Sequence, residues 1–315
     1  MSKISVIIPL YNKEKDIAKT IDSLLKQTVK DFEVIIVNDG STDGSLEAVK
    51  KYADDRFYIY DNQNQGVAKT RNFAVTKATT EFVAFLDADD YWHPNHLEML
   101  LNAVALFPEA NWYATAYEKK HTSSLVTSMR SPIRDEKSGW CGLVDNYFKN
   151  SLVDALAWTS AVAMRVSFFK ALNGFDYAIT NGAGEDTDLW LRAALKSPLV
   201  FCNTITAQHN LIGSNRISHT ATLTRDYMPL DVYNKEAETD IFLKKYLDLN
   251  RYSFGLQHKL AGDYVSFKKY AAGIDLKNLN RKQRFLLNQP LIVLRFIKKV
   301  KESMEFLGLR VSSFG

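Results

Sequence analysis

Ile4-Ser5-Val6-Ile7-Ile8-Pro9-Leu10-Tyr11-Asn12 is the stretch that decides the fold. Its apolar run, residues 4–8, is closed by Pro9 and is too short for a signal core or a membrane span. It reads as a short strand buried on both faces. Downstream, Ile17, Ile21, Leu24 and Leu25 recur at helical spacing. Phe32–Val37 forms a second strand that ends at Asn38-Asp39-Gly40, and Ser41-Thr42-Asp43 offers caps for a helix through Ala48 and Val49. Phe57–Tyr60 is a third strand, Gln65-Gly66 opens a helix through Arg71 to Lys77, and Phe82–Leu86 is a fourth strand stopping at Asp87. Strands separated by helices predict an α/β fold with a mainly parallel sheet and helices on both faces.

Farther along, Trp112–Tyr117, Ala157–Met164 and Leu199–Thr204 read as strands, and residues 118–138 as a polar loop. Val166–Leu172 is a short helix ending at Asn173-Gly174, and Asp186–Leu195 a longer one. Strand signals stop near Thr222. The expected organisation is an α/β domain over residues 1–221, in halves 1–110 and 111–221, followed by a helical extension over 222–315. The chain of 315 residues is 46% hydrophobic and 24% charged, which excludes long disorder. Nine Lys or Arg against two Glu lie beyond residue 276, so the overall charge of +4 resides in the tail and the rest is mildly acidic. A nucleic-acid partner is not expected, because the basic stripe lies off the α/β domain. Cys141 and Cys202 have no metal-ligand spacing and make no disulfide framework. A reducing, cytoplasmic location is the expectation.

In a parallel α/β sheet, ligands bind at the carboxyl ends of the strands. Here those ends carry Tyr11 and Asn12, then Asp39, then Asp87-Ala88-Asp89-Asp90. Two carboxylates one residue apart repel unless a cation joins them, and Mg²⁺ or Mn²⁺ typically links such groups to substrate phosphates. The alternative is a solvated acidic turn. Asp39 is either an acceptor for a base N–H or a turn cap. Arg71 is either a phosphate or nucleobase ligand or one half of a salt bridge. Glu185 and Asp186 start a helix, where the dipole favours carboxylates; the further role open to them is general base.

Together, Ser5–Asn12, Val37–Asp43, Ala68–Asn72, Phe85–Asp90, Asn173–Asp176 and Gly184-Glu185-Asp186 resemble glycosyltransferase family 2 in order and spacing across residues 4–205. The resemblance implies a GT-A fold, an inverting mechanism and a nucleotide-diphospho-sugar donor, a UDP-sugar above all. By position it implies that Pro9, Tyr11, Glu14, Asp39, Arg71, Asp87 and Ala88 line the nucleotide site. It implies a divalent metal, Mn²⁺ or Mg²⁺, on Asp89 and Asp87, with His209 as a further ligand. Asp186 is the implied base, supported by Glu185, and Asn173, Gly174, Phe175, Asp176 and Trp158 are the implied border of the sugar sites. Many relatives carry a Tyr/Arg-rich stretch with a His near residue 204, and here Ala207–Asn215 stands in its place.

The family analogy points to a glycan or lipid-linked glycan acceptor in bacterial surface polysaccharide assembly. A sugar nucleotidyltransferase is disfavoured, because Pro9-Leu10-Tyr11-Asn12-Lys13 is not a Gly-rich triphosphate loop. A degenerate scaffold is disfavoured by the joint presence of Asp39, Asp87, Asp89 and Asp186. In the tail, Val293, Ile297, Val300, Met304 and Leu307 share a helical face, with Arg295, Lys298, Lys299 and Lys301 elsewhere around it. Three uses stay open: peripheral contact with an anionic membrane, packing on the catalytic domain, or a homo-oligomer contact.

Overall fold

The computed structural model describes residues 3–216, 220–306 and 312–314. Its strands are β1 Ile4–Leu10, β2 Phe32–Asp39, β3 Phe57–Asn62, β4 Phe82–Phe85, β5 Tyr91–Trp92, β6 Trp112–Lys120, β7 Val126–Ser128, β8 Cys141–Leu143, β9 Val162–Arg165 and β10 Val200–Asn210. The helices are α1 Ile17–Leu25, α2 Ser45–Lys50, α3 Val67–Lys77, α4 His96–Leu106, α5 Tyr147–Asn150, α6 Val166–Ala171, α7 Glu185–Lys196, α8 Ile241–Ala261, α9 Tyr264–Ala272, α10 Arg281–Asn288 and α11 Leu291–Phe306. The chain divides into two compact units. The first comprises 1–147, 156–220 and 226–228; the second comprises 148–155, 221–225 and 229–315.

The first unit is built on one sheet in the order β3-β2-β1-β4-β9-β6-β10-β5, with β7 on β6 and β8 on β10. β3, β2, β1 and β4 are parallel, as their connecting helices require. β9 runs antiparallel to both β4 and β6, so the second half is mixed. β1 is central, and Ile4, Val6, Ile7 and Ile8 are fully buried, which explains an unbroken apolar run where a surface strand would alternate. Two buried polar residues in these strands satisfy each other: Ser5 Oγ donates to Glu33 at 2.5 Å, and Glu33 also accepts from the Thr79 N–H and hydroxyl at 2.8 Å.

Three details depart from the sequence reading. Residues 118–138 are not simply a loop, since β6 extends to Lys120, β7 pairs with it and Pro132–Asp135 forms a 3₁₀ turn. β10 runs six residues beyond Thr204, to Asn210. Cys141 and Cys202 stand opposite each other on β8 and β10 and are joined in a disulfide, a pairing the sequence reading did not expect.

The second unit is helical, as the loss of strand signals predicts. Asp240 and Asp263 cap α8 and α9 through their carboxylates, and Asn280 with Gln283 forms a capping box on α10. Its core includes Leu249, Tyr252, Leu279 and Leu287. Among the described residues no helix is long and apolar enough to cross a membrane.

Candidate active site

The strand ends of the first unit do converge. Asn12, just past β1, takes φ 50°, a left-handed turn that Asn tolerates, and its side chain accepts from Thr42 N–H at 2.7 Å while its own N–H donates to Ser41 Oγ at 3.0 Å. The loops after β1 and β2 are thereby tied together. Glu14 serves the same tie, accepting from Gly44 N–H at 2.9 Å. Tyr11 is exposed beside a half-buried Pro9.

Asp39, at the end of β2, is buried. Its two oxygens accept from Gln65 N–H at 2.8 Å and Gly66 N–H at 3.0 Å, fixing the start of α3. Each oxygen keeps a further acceptor direction. Asp39→Ala would leave both amides unpaired in a buried position. The expected loss is about 1–3 kcal/mol of stability in urea denaturation. A variant as stable as the parent would show that these bonds contribute nothing.

Arg71, the fifth residue of α3, is buried with only 5% of its side chain exposed. Its Nη2 lies 2.5 Å from Asp87 Oδ1, its Nη1 lies 3.8 Å from Glu185 Oε1, and its guanidinium sits 5.1 Å above the Phe175 ring. Burial alone would lower its pKa, but Asp87 and Glu185 outweigh it and the net shift is upward. Nε and Nη1 have no hydrogen-bond partner. Glu185 responds in the opposite sense: burial, then the neighbouring Asp186, push its pKa up to about 7, against the pull of Arg71.

Asp89 is nine-tenths buried by side chain and pairs with Lys13 Nζ at 2.7 Å. The same ammonium donates to the carbonyls of Ser214 and Asn215, at 2.6 and 3.2 Å. Gly213 is pressed so close that an added Cβ would stand 2.7 Å from Asp89 Oδ2. Burial raises the Asp89 pKa, Lys13 opposes this, and Asp87 adds repulsion. Ala88 is buried, and its carbonyl accepts from Thr20 Oγ1 at 3.1 Å. Asp90 accepts from Ser160 Oγ at 2.6 Å and Asn210 N–H at 2.9 Å, pinning this loop to the end of β10. Burial, then repulsion from Asp89 and Asp87, raises its pKa well above the usual range.

α7 begins after Gly184, whose φ of 106° favours glycine and where a Cβ would press on Met228 at 3.1 Å. Asp186 is half-buried on the first turn. Its Oδ1 accepts from Thr187 N–H at 2.7 Å, and its Oδ2 lies 3.4 Å from Thr159 Oγ1. Asn173 and Gly174 both turn through positive φ. Asn72 holds that turn by bonding the Phe175 N–H at 2.9 Å and its carbonyl at 2.8 Å. Phe175 itself is fully buried among Phe85, Phe169 and Trp190, with the Arg71 guanidinium over its ring. Asp176 is exposed and accepts from Ala178 N–H at 2.9 Å.

Asp87, Asp89 and His209 do not converge into a three-ligand cage, and no such group of His, Cys, Asp and Glu occurs among the described residues. The His209 ring stacks on Trp158 at 4.8 Å, and its Nε2 lies 3.2 Å from Arg216 Nη2. Burial drives its pKa down to about 3, so it is neutral and accepts from the guanidinium. Asp87 and Asp89 remain as carboxylates of the kind a hard divalent cation takes, and here each is held by a cation of the chain itself, Arg71 and Lys13. Lys13 and Asp90 are the contributors that sequence reading left without roles. Their partners are 76 and 120 residues away, and no local pattern signals such contacts.

The model of "Glycosyl transferase family 2" matches residues 5–171. The chain is 30% identical over 273 residues to the Escherichia coli protein "UDP-Glc:alpha-D-GlcNAc-diphosphoundecaprenol beta-1,3-glucosyltransferase WfgD", covering 84% of this chain and 98% of that one. It is 36% identical over 129 residues to an uncharacterized glycosyltransferase of Rickettsia bellii, covering 39% of this chain. The chain spans 15% to 30% of the length of that protein and of three further curated relatives. In fold it is similar to S. aureus TarS 1–349 in complex with UDP-GlcNAc, at TM-score 0.68 and 20% identity, covering 98% of this chain and 92% of that one.

Proposed function

The chain belongs to glycosyltransferase family 2, and from that membership we propose that it moves a sugar from a UDP-sugar to a hydroxyl of a lipid-linked glycan, with inversion at the anomeric carbon. The observation that carries the reading is the grouping of Asp87, Glu185 and Asp186 around the buried Arg71, at the carboxyl edge of the parallel strands. WfgD, by its name, uses UDP-Glc and a diphosphoundecaprenol-linked acceptor, and this supports both halves of the proposal.

Asp186 takes the proton from the acceptor hydroxyl as that oxygen attacks the anomeric carbon. Thr187 N–H and Thr159 hold the carboxylate, so its orientation is set before the acceptor arrives. Glu185, neutral over much of the range below about 7, spares Asp186 an adjacent charge. Asp39 shapes the base pocket by fixing the start of α3, with Pro9 near the end of β1 and Tyr11 and Glu14 on the loop that follows. Asp89 and Asp87 would hold Mn²⁺ or Mg²⁺, which supplies Lewis-acid stabilisation to a leaving diphosphate. Direct displacement needs no side-chain nucleophile, and the carboxylates here are bound to cations or backbone amides.

UDP binding by calorimetry, with and without Mn²⁺, tests the assignment. The expected result is metal-dependent binding that Asp89→Ala weakens by at least about tenfold. Binding of equal strength with and without metal would remove Asp87 and Asp89 from that role.

A further inference from the structure

We propose that the outward face of the last two helices docks on an anionic lipid bilayer. α10 and α11 both pack on α8. They bury Gln283, Leu287 and Leu294 and leave Phe285, Ile292, Phe296 and Val300 exposed. Ile292, Phe296 and Val300 are four residues apart and form one stripe along α11. Val300, 41% exposed, stands where this stripe meets the face that carries Val293, Ile297 and Met304, the group expected from the sequence; Leu307, placed in that same group, lies outside the described residues. Ile292 and Phe296 are 78% and 68% exposed, an unusual cost for large apolar side chains in water.

The charge on these helices is mainly positive. From Leu276 to Phe306 the chain carries eight Lys or Arg against two Glu, Glu302 and Glu305, both near the end of α11. Arg281, Lys282 and Arg284 surround Phe285, and Arg295 and Lys299 flank Ile292 and Phe296. A second copy of the chain would bring an identical cationic face to this one, and the two would repel. A nucleic acid offers phosphates but no apolar phase to receive Ile292 and Phe296. An anionic bilayer offers both: headgroup phosphates meet the cations while the apolar side chains enter the acyl boundary. The surface is independent of the active-site reading, because it uses none of those residues.

Co-sedimentation of the full chain with vesicles tests this, without donor or metal. One vesicle is pure phosphatidylcholine; the other contains equal parts phosphatidylcholine and phosphatidylglycerol. Binding to the anionic vesicles is expected to be at least about tenfold stronger and to fall with salt. The double variants Ile292→Ser/Phe296→Ser and Arg295→Gln/Lys299→Gln should each lose at least about fivefold, at an unchanged melting temperature, since all four side chains are exposed. Equal binding to both vesicles, no binding, or variants that bind like the parent would overturn the proposal. So would a dimer in sedimentation equilibrium that Ile292→Ser/Phe296→Ser dissociates, because that assigns the face to a second copy.

Discussion

Asp186→Asn should bind donor as the parent does and release UDP about a hundred- to ten-thousandfold more slowly. Asn keeps the shape of Asp and its hydrogen bond from Thr187 N–H, so the first turn of α7 has no reason to move. It lacks the basicity to accept a proton from the incoming hydroxyl. Helix propensity and dipole effects are worth at most about 1 kcal/mol at this position, which is too little to account for such a loss. Steady-state release of UDP from a panel of UDP-sugars, beside calorimetric donor binding, separates chemistry from affinity. A fall of less than about tenfold in rate would mean that another group accepts the proton. A parallel loss of donor binding would make Asp186 part of the donor pocket.

Arg71→Met should be the most destabilising single change in the site, and its cost should depend on pH. Met fills most of the space but leaves Asp87 and the buried Glu185 without their shared cation. Breaking a buried ion pair on one side costs about 3–5 kcal/mol. In the parent, the Glu185 pKa stands at about 7 against an ordinary 4.5. The folded state therefore binds more protons than the unfolded one between these values, and stability falls across that window as pH rises. Arg71 is the larger of the two influences that pull this pKa down, ahead of a backbone hydrogen bond, so its removal sends the pKa higher and extends the decline above 7. Urea denaturation at pH 6 and at pH 8.5 should accordingly show a smaller loss for Arg71→Met at the lower pH, where the Asp87 pair alone is broken, and the full loss at the higher. A loss of equal size at both would show that Glu185 is not the group left uncompensated.

The fold was legible wherever burial leaves a periodic or continuous mark. β1, β2 and β4 are buried on both faces and read as apolar runs, and the cap and turn residues between them are local signals. β7 and β8, three residues each, and the polar end of β10 carried no such mark, because their pairing is set by neighbours in the sheet.

The sequence by itself determined the alternation that makes a parallel sheet, and it put polar residues at the strand ends where a ligand would sit, carboxylates among them at the end of β2 and after β4. It also determined the concentration of positive charge in the last helices. Only the tertiary structure decided what each of those groups touches. Asp39 caps α3, Asp89 turns to Lys13, Arg71 bridges Asp87 and Glu185, and Phe175 goes into the core beneath that arginine. The two cysteines meet because β8 and β10 are neighbours, and α11 turns Leu294 inward and Phe296 out. Periodicity is a property of a few consecutive residues and survives in the sequence. The partner of a buried charge is fixed by strand order and side-chain facing across dozens of residues, and these exist only once the chain has folded.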